Sequence, residues 1–155
     1  MAGNSSNFTK VVVEGSKSTK EIRFNDELQL DFILNSGIVK DCELSLPCGV
    51  QLTNDKWNLF LALEGFEETL IGFLKEEEDV REGIQVNVYD KGGHEFQMML
   101  KKWVKHSNRF YVLNRGWFSF CNQHGLGQDD LVALRAFRHA ITDVLSFAVT
   151  YRRMR

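Results

Sequence analysis

The chain has 155 residues, 43% of them hydrophobic and 26% charged, with a formal net charge of −2. This balance excludes a disordered or fibrous chain and suits one domain with a core of its own. The longest apolar runs, such as 57–63, are far too short to span a bilayer, and no basic segment leads into an apolar one at the N-terminus, so no membrane partner is expected. Cys42, Cys48 and Cys121 are an odd set without a CxxC pair, which excludes a disulfide framework and a zinc knuckle and suits a reducing compartment.

Charge is unevenly distributed along the chain. In residues 91–155, 11 Lys and Arg stand against 4 Asp and Glu, whereas in residues 1–90 the balance is 8 against 17. A basic half is hidden behind an acidic one.

Residues 1–19 are rich in Asn, Ser, Gly and Lys around the triplet Val11-Val12-Val13, and read as a flexible arm with at most one short added strand. Residues 20–155 are expected to form the single domain. From 21 to 34 an imperfect alternation (Ile22, Phe24, then Leu28, Leu30, Phe32) predicts a strand running into a longer connection. Residues 43–46 predict a short strand stopped by Pro47, which cannot donate to a sheet ladder. Trp57, Leu59, Leu61 and Leu63 alternate as a strand does, and the acidic stretch 64–82 reads as a solvated loop or short helix.

Beyond it the signals sharpen. Ile84-Val86-Val88 and Phe96-Met98-Leu100 alternate on either side of Asp90-Lys91-Gly92-Gly93, which is hairpin-turn chemistry. A strand follows at 110–113, then a short helix at 116–122 that buries Trp117, Phe118 and Phe120 and ends at Gly125 and Gly127. Runs at 131–137 and 145–151 predict the last two strands. Many short strands with few helices imply an antiparallel barrel or sandwich.

The segments VYDKGGHEFQMMLKKW, NRFYVLNRGWFSFCNQHGLGQDDLVALRAF and LSFAVTYRR follow one another in an order that resembles the second half of the plant B3 domain family. The positions that carry the likeness are Asp90 and Gly93, Trp103, Tyr111-Val112-Leu113, Gly116-Trp117 with Phe120, and Leu126 with Asp129-Asp130. They cover about residues 84–153. KDCELSLP looks like the family's short strand ending in an apolar-Pro pair, although Glu43 stands where the family often has a basic residue.

The resemblance implies a mainly-β fold, a seven-stranded open barrel with two short helices. It implies binding of double-stranded DNA in the major groove between two arms, as a nuclear transcription factor of a plant, with no catalysis, cofactor or metal. The first arm would carry Asn35, Ser36 and Lys40. The second would be the loop 101–109, in which Lys101, Lys102, Lys105 and Arg109 supply charge, His106, Ser107 and Asn108 form compact polar tips, and Trp103 lies alongside. From Trp103 to Tyr111 this loop is about two residues longer than in better-known members. The alternative is a diverged B3-like protein-interaction module whose acidic half docks other transcription regulators.

Other residues admit two readings on the sequence alone. Trp103 reads as strand-end packing or as a ring beside DNA. Asp129 and Asp130 read as turn and capping residues or as metal ligands. Cys121 and His124, three apart, read as core residues or as a thiol nucleophile and its base.

Overall fold

A computed structural model describes residues 8–14 and 19–154. The chain begins with an antiparallel hairpin, β1 (Phe8–Glu14) and β2 (Thr19–Asn25). Residues 1–7 and 15–18 of the expected arm lie outside the described residues, while Val11 of β1 is buried against β8.

The alternating segments become β3 (Cys48–Gln51), β4 (Leu59–Ala62), β5 (Ile84–Tyr89), β6 (Glu95–Lys105), β7 (Asn108–Asn114), β8 (Leu131–Arg138) and β9 (Leu145–Arg152). They form one seven-stranded sheet in the order β3-β8-β9-β5-β6-β7-β4, antiparallel except for the β5–β9 pair. Its two edges, β3 and β4, face each other across a narrow cleft lined by Val50, Leu52, Asn58 and Phe60. The sheet is therefore the expected open barrel.

Strand direction decides what meets at each end. Ile84 pairs with Leu100, Asn87 with Ser146 and Ala62 with Phe110. The β8–β9 turn, the start of β5, the far end of β6, the start of β7 and the end of β4 thus gather at one end, here called the hairpin end.

A helix plugs each mouth. α2 (Leu63–Ile71) becomes regular after Gly65 (φ 81°) and inserts Phe66 and Leu70 at the hairpin end, where Phe66 meets Tyr111 at 5.1 Å and Phe147 at 6.0 Å. At the opposite end α3 (Trp117–His124) buries Trp117 and Phe120, stacked at 5.2 Å. Gly116 precedes it because a Cβ there would stand 2.5 Å from the Gln97 carbonyl oxygen. Among the described residues no helix is long and apolar enough to cross a membrane.

Two expectations fail for clear reasons. The alternation past Asn25 is a 3-10 turn at Glu27–Leu30 followed by a third helix, α1 (Asp31–Ser36). Leu30 and Ile33, three apart, are the residues it buries, and the Asn25 carboxamide accepts the Glu27 N–H at 3.0 Å to start the turn. Residues 43–46 form no strand. The Ser45 hydroxyl accepts the Ala136 N–H at 2.8 Å where a ladder would use a carbonyl, and Pro47 offers no donor.

Trp117→Ala should cost about 3–5 kcal/mol in urea unfolding, because the indole is wholly inside the barrel. Trp57→Ala should cost only about 1 kcal/mol, since that ring is 65% exposed and merely stacks on Phe118 at 4.2 Å. Equal losses would place Trp117 outside the core.

Candidate nucleic-acid interface

The second arm is a paired ladder rather than a loop. Lys101 faces Val112, Trp103 faces Phe110, Val104 faces Arg109 and Lys105 faces Asn108, which leaves only His106 and Ser107 as the tip. His106 takes the left-handed conformation (φ 57°) that a two-residue hairpin requires. The extra length seen in the sequence has become rungs of ladder.

A ladder sorts side chains by parity. Lys101, Trp103 and Lys105 share the outer face with Asn108 and Phe110, while Lys102, Val104, Arg109 and Tyr111 share the inner one. Lys101, Lys105, His106, Ser107, Asn108 and Arg109 are all exposed. Trp103 lies half-buried on the outer face, edge-on to Phe60 at 6.3 Å and Phe110 at 5.9 Å, and takes no part in the barrel core.

Lys102 is placed differently from its neighbours. Its side chain is only 13% exposed and its ammonium donates to Glu67 of α2 at 2.8 Å, beside the Tyr111 hydroxyl, which donates to the same oxygen at 2.8 Å. The Lys102 and Tyr111 hydrogen bonds hold the Glu67 carboxyl below its usual range against its desolvation. Burial, then Glu67, pushes the Tyr111 phenol well above the ordinary tyrosine range. This clasp fixes the root of the hairpin to α2.

The first arm reaches the same end. Ser36 closes α1, its hydroxyl donating to the Ile33 carbonyl at 2.6 Å, and Asn35 is exposed beside it. After Gly37 (φ 81°), Val39 bridges to His139 and the Ile38 carbonyl accepts the Ala140 N–H at 2.7 Å. Lys40 therefore stands over the β8–β9 turn, its ammonium 3.5 Å from Asp143.

Lys75, which the sequence did not single out, pairs with the other oxygen of Asp143. Arg138 explains why they meet. Its guanidinium donates to the Phe73 carbonyl at 2.8 Å, to Glu78 at 3.0 Å and to the Asp143 carbonyl at 3.0 Å, tying the segment after α2 to the turn. The Lys75 hydrogen bond holds the Asp143 carboxyl below its usual range, with Lys40 adding its attraction.

The remaining chemical candidates resolve into structure. Cys121 is buried and burial pushes its thiol up to about 11, while both ring nitrogens of His124 face acceptors, the Phe120 carbonyl at 2.7 Å and Asp90 at 2.9 Å. This pair is core, not nucleophile and base. Asp130 accepts the Gly127 and Met154 N–H groups at 2.9 Å each, and Asp129 (φ 75°) shapes the turn. No group of three potential metal ligands occurs among the described residues.

These features define a mainly-β open-barrel domain that presents a cationic hairpin and a lysine-bearing arm at one end. The chain belongs to the B3 domain family: the family model described as B3 domain-containing protein At2g31720-like matches residues 50–153. It is 36% identical over 98 residues to the B3 domain-containing protein At4g03170 of Arabidopsis thaliana, covering 63% of this chain and 38% of that protein. It is also 36% identical over 72 residues to the B3 domain-containing protein At1g20600 of Arabidopsis thaliana, covering 46% of this chain and 30% of that protein. The chain thus spans about a third of the curated relatives' length. A solved structure titled Arabidopsis FUS3-DNA complex aligns with 68% of this chain and 94% of its own, at 20% identity and a TM-score of 0.46.

Glu67→Ala should destabilise the protein by about 1–3 kcal/mol in urea unfolding, since the buried Tyr111 hydroxyl and Lys102 lose their acceptor. Glu67→Gln, which keeps an acceptor oxygen, should cost less. Because the Glu67 carboxyl is depressed in the folded state, its contribution is present above the unfolded value of about 4.3 and fades as pH falls through the folded one. Stability of wild type relative to Glu67→Gln should therefore converge in acid.

Proposed function

We propose that this chain is a DNA-binding domain of a nuclear transcription regulator, gripping double-stranded DNA in the major groove with the β6–β7 hairpin and the arm that ends at Lys40. Family membership supports the class of ligand. The observation that carries the reading is the convergence at one barrel end of a hairpin bearing Lys101, Lys105, Ser107, Asn108 and Arg109 with the arm bearing Lys40. A two-stranded ribbon fits the width of the B-DNA major groove, about 12 Å. No catalytic step belongs to this reading.

Labour divides by position. Lys101 and Lys105 are exposed point charges suited to phosphates, which fix position without reading sequence. Ser107 and Asn108 sit at and beside the tip, and an Asn there can pair with an adenine edge. Arg109 points to the opposite face from Asn108, so the two read different steps or one of them binds backbone. Lys102 serves the hairpin's root, not the groove.

A second reading is a protein-interaction module, favoured by the carboxylates of Glu67, Glu78 and Asp143 that already hold cations at this end. Titration of duplex DNA at two salt concentrations separates the two. The DNA reading requires affinity to fall with a log-log slope of about −0.9 per neutralised phosphate, and a flat response would discard it. Lys101→Ala and Lys105→Ala should each flatten the slope by about one unit on any sequence, with Lys102→Ala instead lowering stability. Asn108→Ala should cost about 1–3 kcal/mol on a selected site and far less on random duplex.

A further inference from the structure

Two lysines far apart in sequence share one carboxylate at the hairpin end. Lys40 approaches one oxygen of Asp143 at 3.5 Å and Lys75 bonds the other, with the lysine side chains 52% and 41% exposed. Arg138 cannot serve a ligand, because its side chain is only 11% exposed and its donors hold Phe73, Glu78 and Asp143. What Arg138 does is bring Lys75 to the turn. Lys40 alone would be outnumbered there, since Asp41 and Glu43 follow it directly and are exposed. Lys75 supplies the second positive charge that an anion site needs.

We infer that Lys40 and Lys75 form a two-lysine clamp for a DNA backbone phosphate, with Asp143 occupying the phosphate's place until DNA arrives. The inference rests on the DNA-binding reading and adds to it a residue from the acidic segment and an internal competitor. A carboxylate and a phosphate are alternative single-charge acceptors for the same ammonium groups. Binding exchanges one for the other, and long flexible lysine stems can make the exchange without moving the backbone. Asp143 thus lowers affinity while keeping the two lysines gathered.

Asp143 has φ 61°, a conformation that Asn tolerates, so Asp143→Asn removes the charge without straining the turn. Duplex titrations of the whole chain, with melting temperatures as a folding control, test the clamp. Asp143→Asn should raise affinity about two- to fivefold, the scale of an exposed ion pair. Lys75→Ala should lower affinity and flatten the salt slope by about one unit. In the Lys40→Ala/Lys75→Ala background, Asp143→Asn should bring no gain. A gain that survives in that background would show general repulsion of DNA by Asp143 and overturn the clamp. So would wild-type affinity in both Asp143→Asn and Lys75→Ala, provided that wild type binds and Lys101→Ala weakens it. Absence of any salt-dependent binding by wild type would instead remove the DNA-binding reading and the clamp with it.

Discussion

β8 and β9 are buried on both faces, and the other parts of the chain are arranged around that constraint. Inside the barrel, Leu134, Ala136, Phe147 and Val149 join the main core. Outside, Val11 and Phe24 of the β1–β2 hairpin cover Leu131 and Ala133, while Leu30 and Ile33 cover Phe137 and Ala148. Arg135 lies between these two outer patches and would be a buried charge. Asp26, fully buried, answers it with two hydrogen bonds at 2.9 and 3.1 Å and takes a third from Thr150 at 3.0 Å. The ion pair makes the outer layer a matter of position as well as of apolar area, because either partner without the other would be stranded away from water.

Toward its tip the outer face of the β6–β7 hairpin is exposed at Lys101, Lys105 and Asn108, although Val112 at its root is buried, and this asymmetry is what leaves the hairpin available. Its apolar half-exposed residues, Trp103 and Phe110, shield one another and Phe60 rather than a core. The folding topology also brings the acidic segment to the same end as the basic hairpin, because β4 ends and β5 begins there. Halves that look opposed in charge along the sequence are neighbours in space, and several of their charges are spent on each other. The cations left in solvent are a subset selected by strand parity and by the reach of α2.

Legibility in the sequence followed the environment of each segment. Strands β5, β8 and β9, residues 110–113 of β7 and helix α3 could be read directly, because the apolar pattern of each mirrors its burial. The region from Asn25 to Pro47 could not. Leu28 and Phe32 are exposed while Leu30 and Ile33 are buried, so the apparent alternation mixed two surfaces. The cationic hairpin was visible as a cluster of Lys and Arg, but its sorting was not. Lys101 and Lys102 are adjacent and chemically identical; strand alternation sends them to opposite faces, and the pairing with Val112 and Tyr111 decides which of them faces inward. Lys75 and Asp143 gave no local signal at all. Their meeting depends on Arg138, which binds the Phe73 and Asp143 main-chain carbonyls as well as Glu78, and the main-chain share leaves no mark in residue type on the side that accepts.

The place of β9 in the sheet has a bearing on how the chain is made. It lies between β8 and β5, and its parallel pairing joins Ser146 to Asn87 across most of the intervening fold. β5, β6 and β7 form a local meander that can assemble as soon as it emerges from the ribosome. β3 must wait for β8, and the two halves of the barrel cannot be joined until residues 145–152 have been synthesised. Until then β5 exposes a bare edge and the apolar interior of the meander stays open to solvent. A chain stalled before β9 would keep that edge unpaired, the kind of edge that templates association, and closure of the barrel is a long-range step.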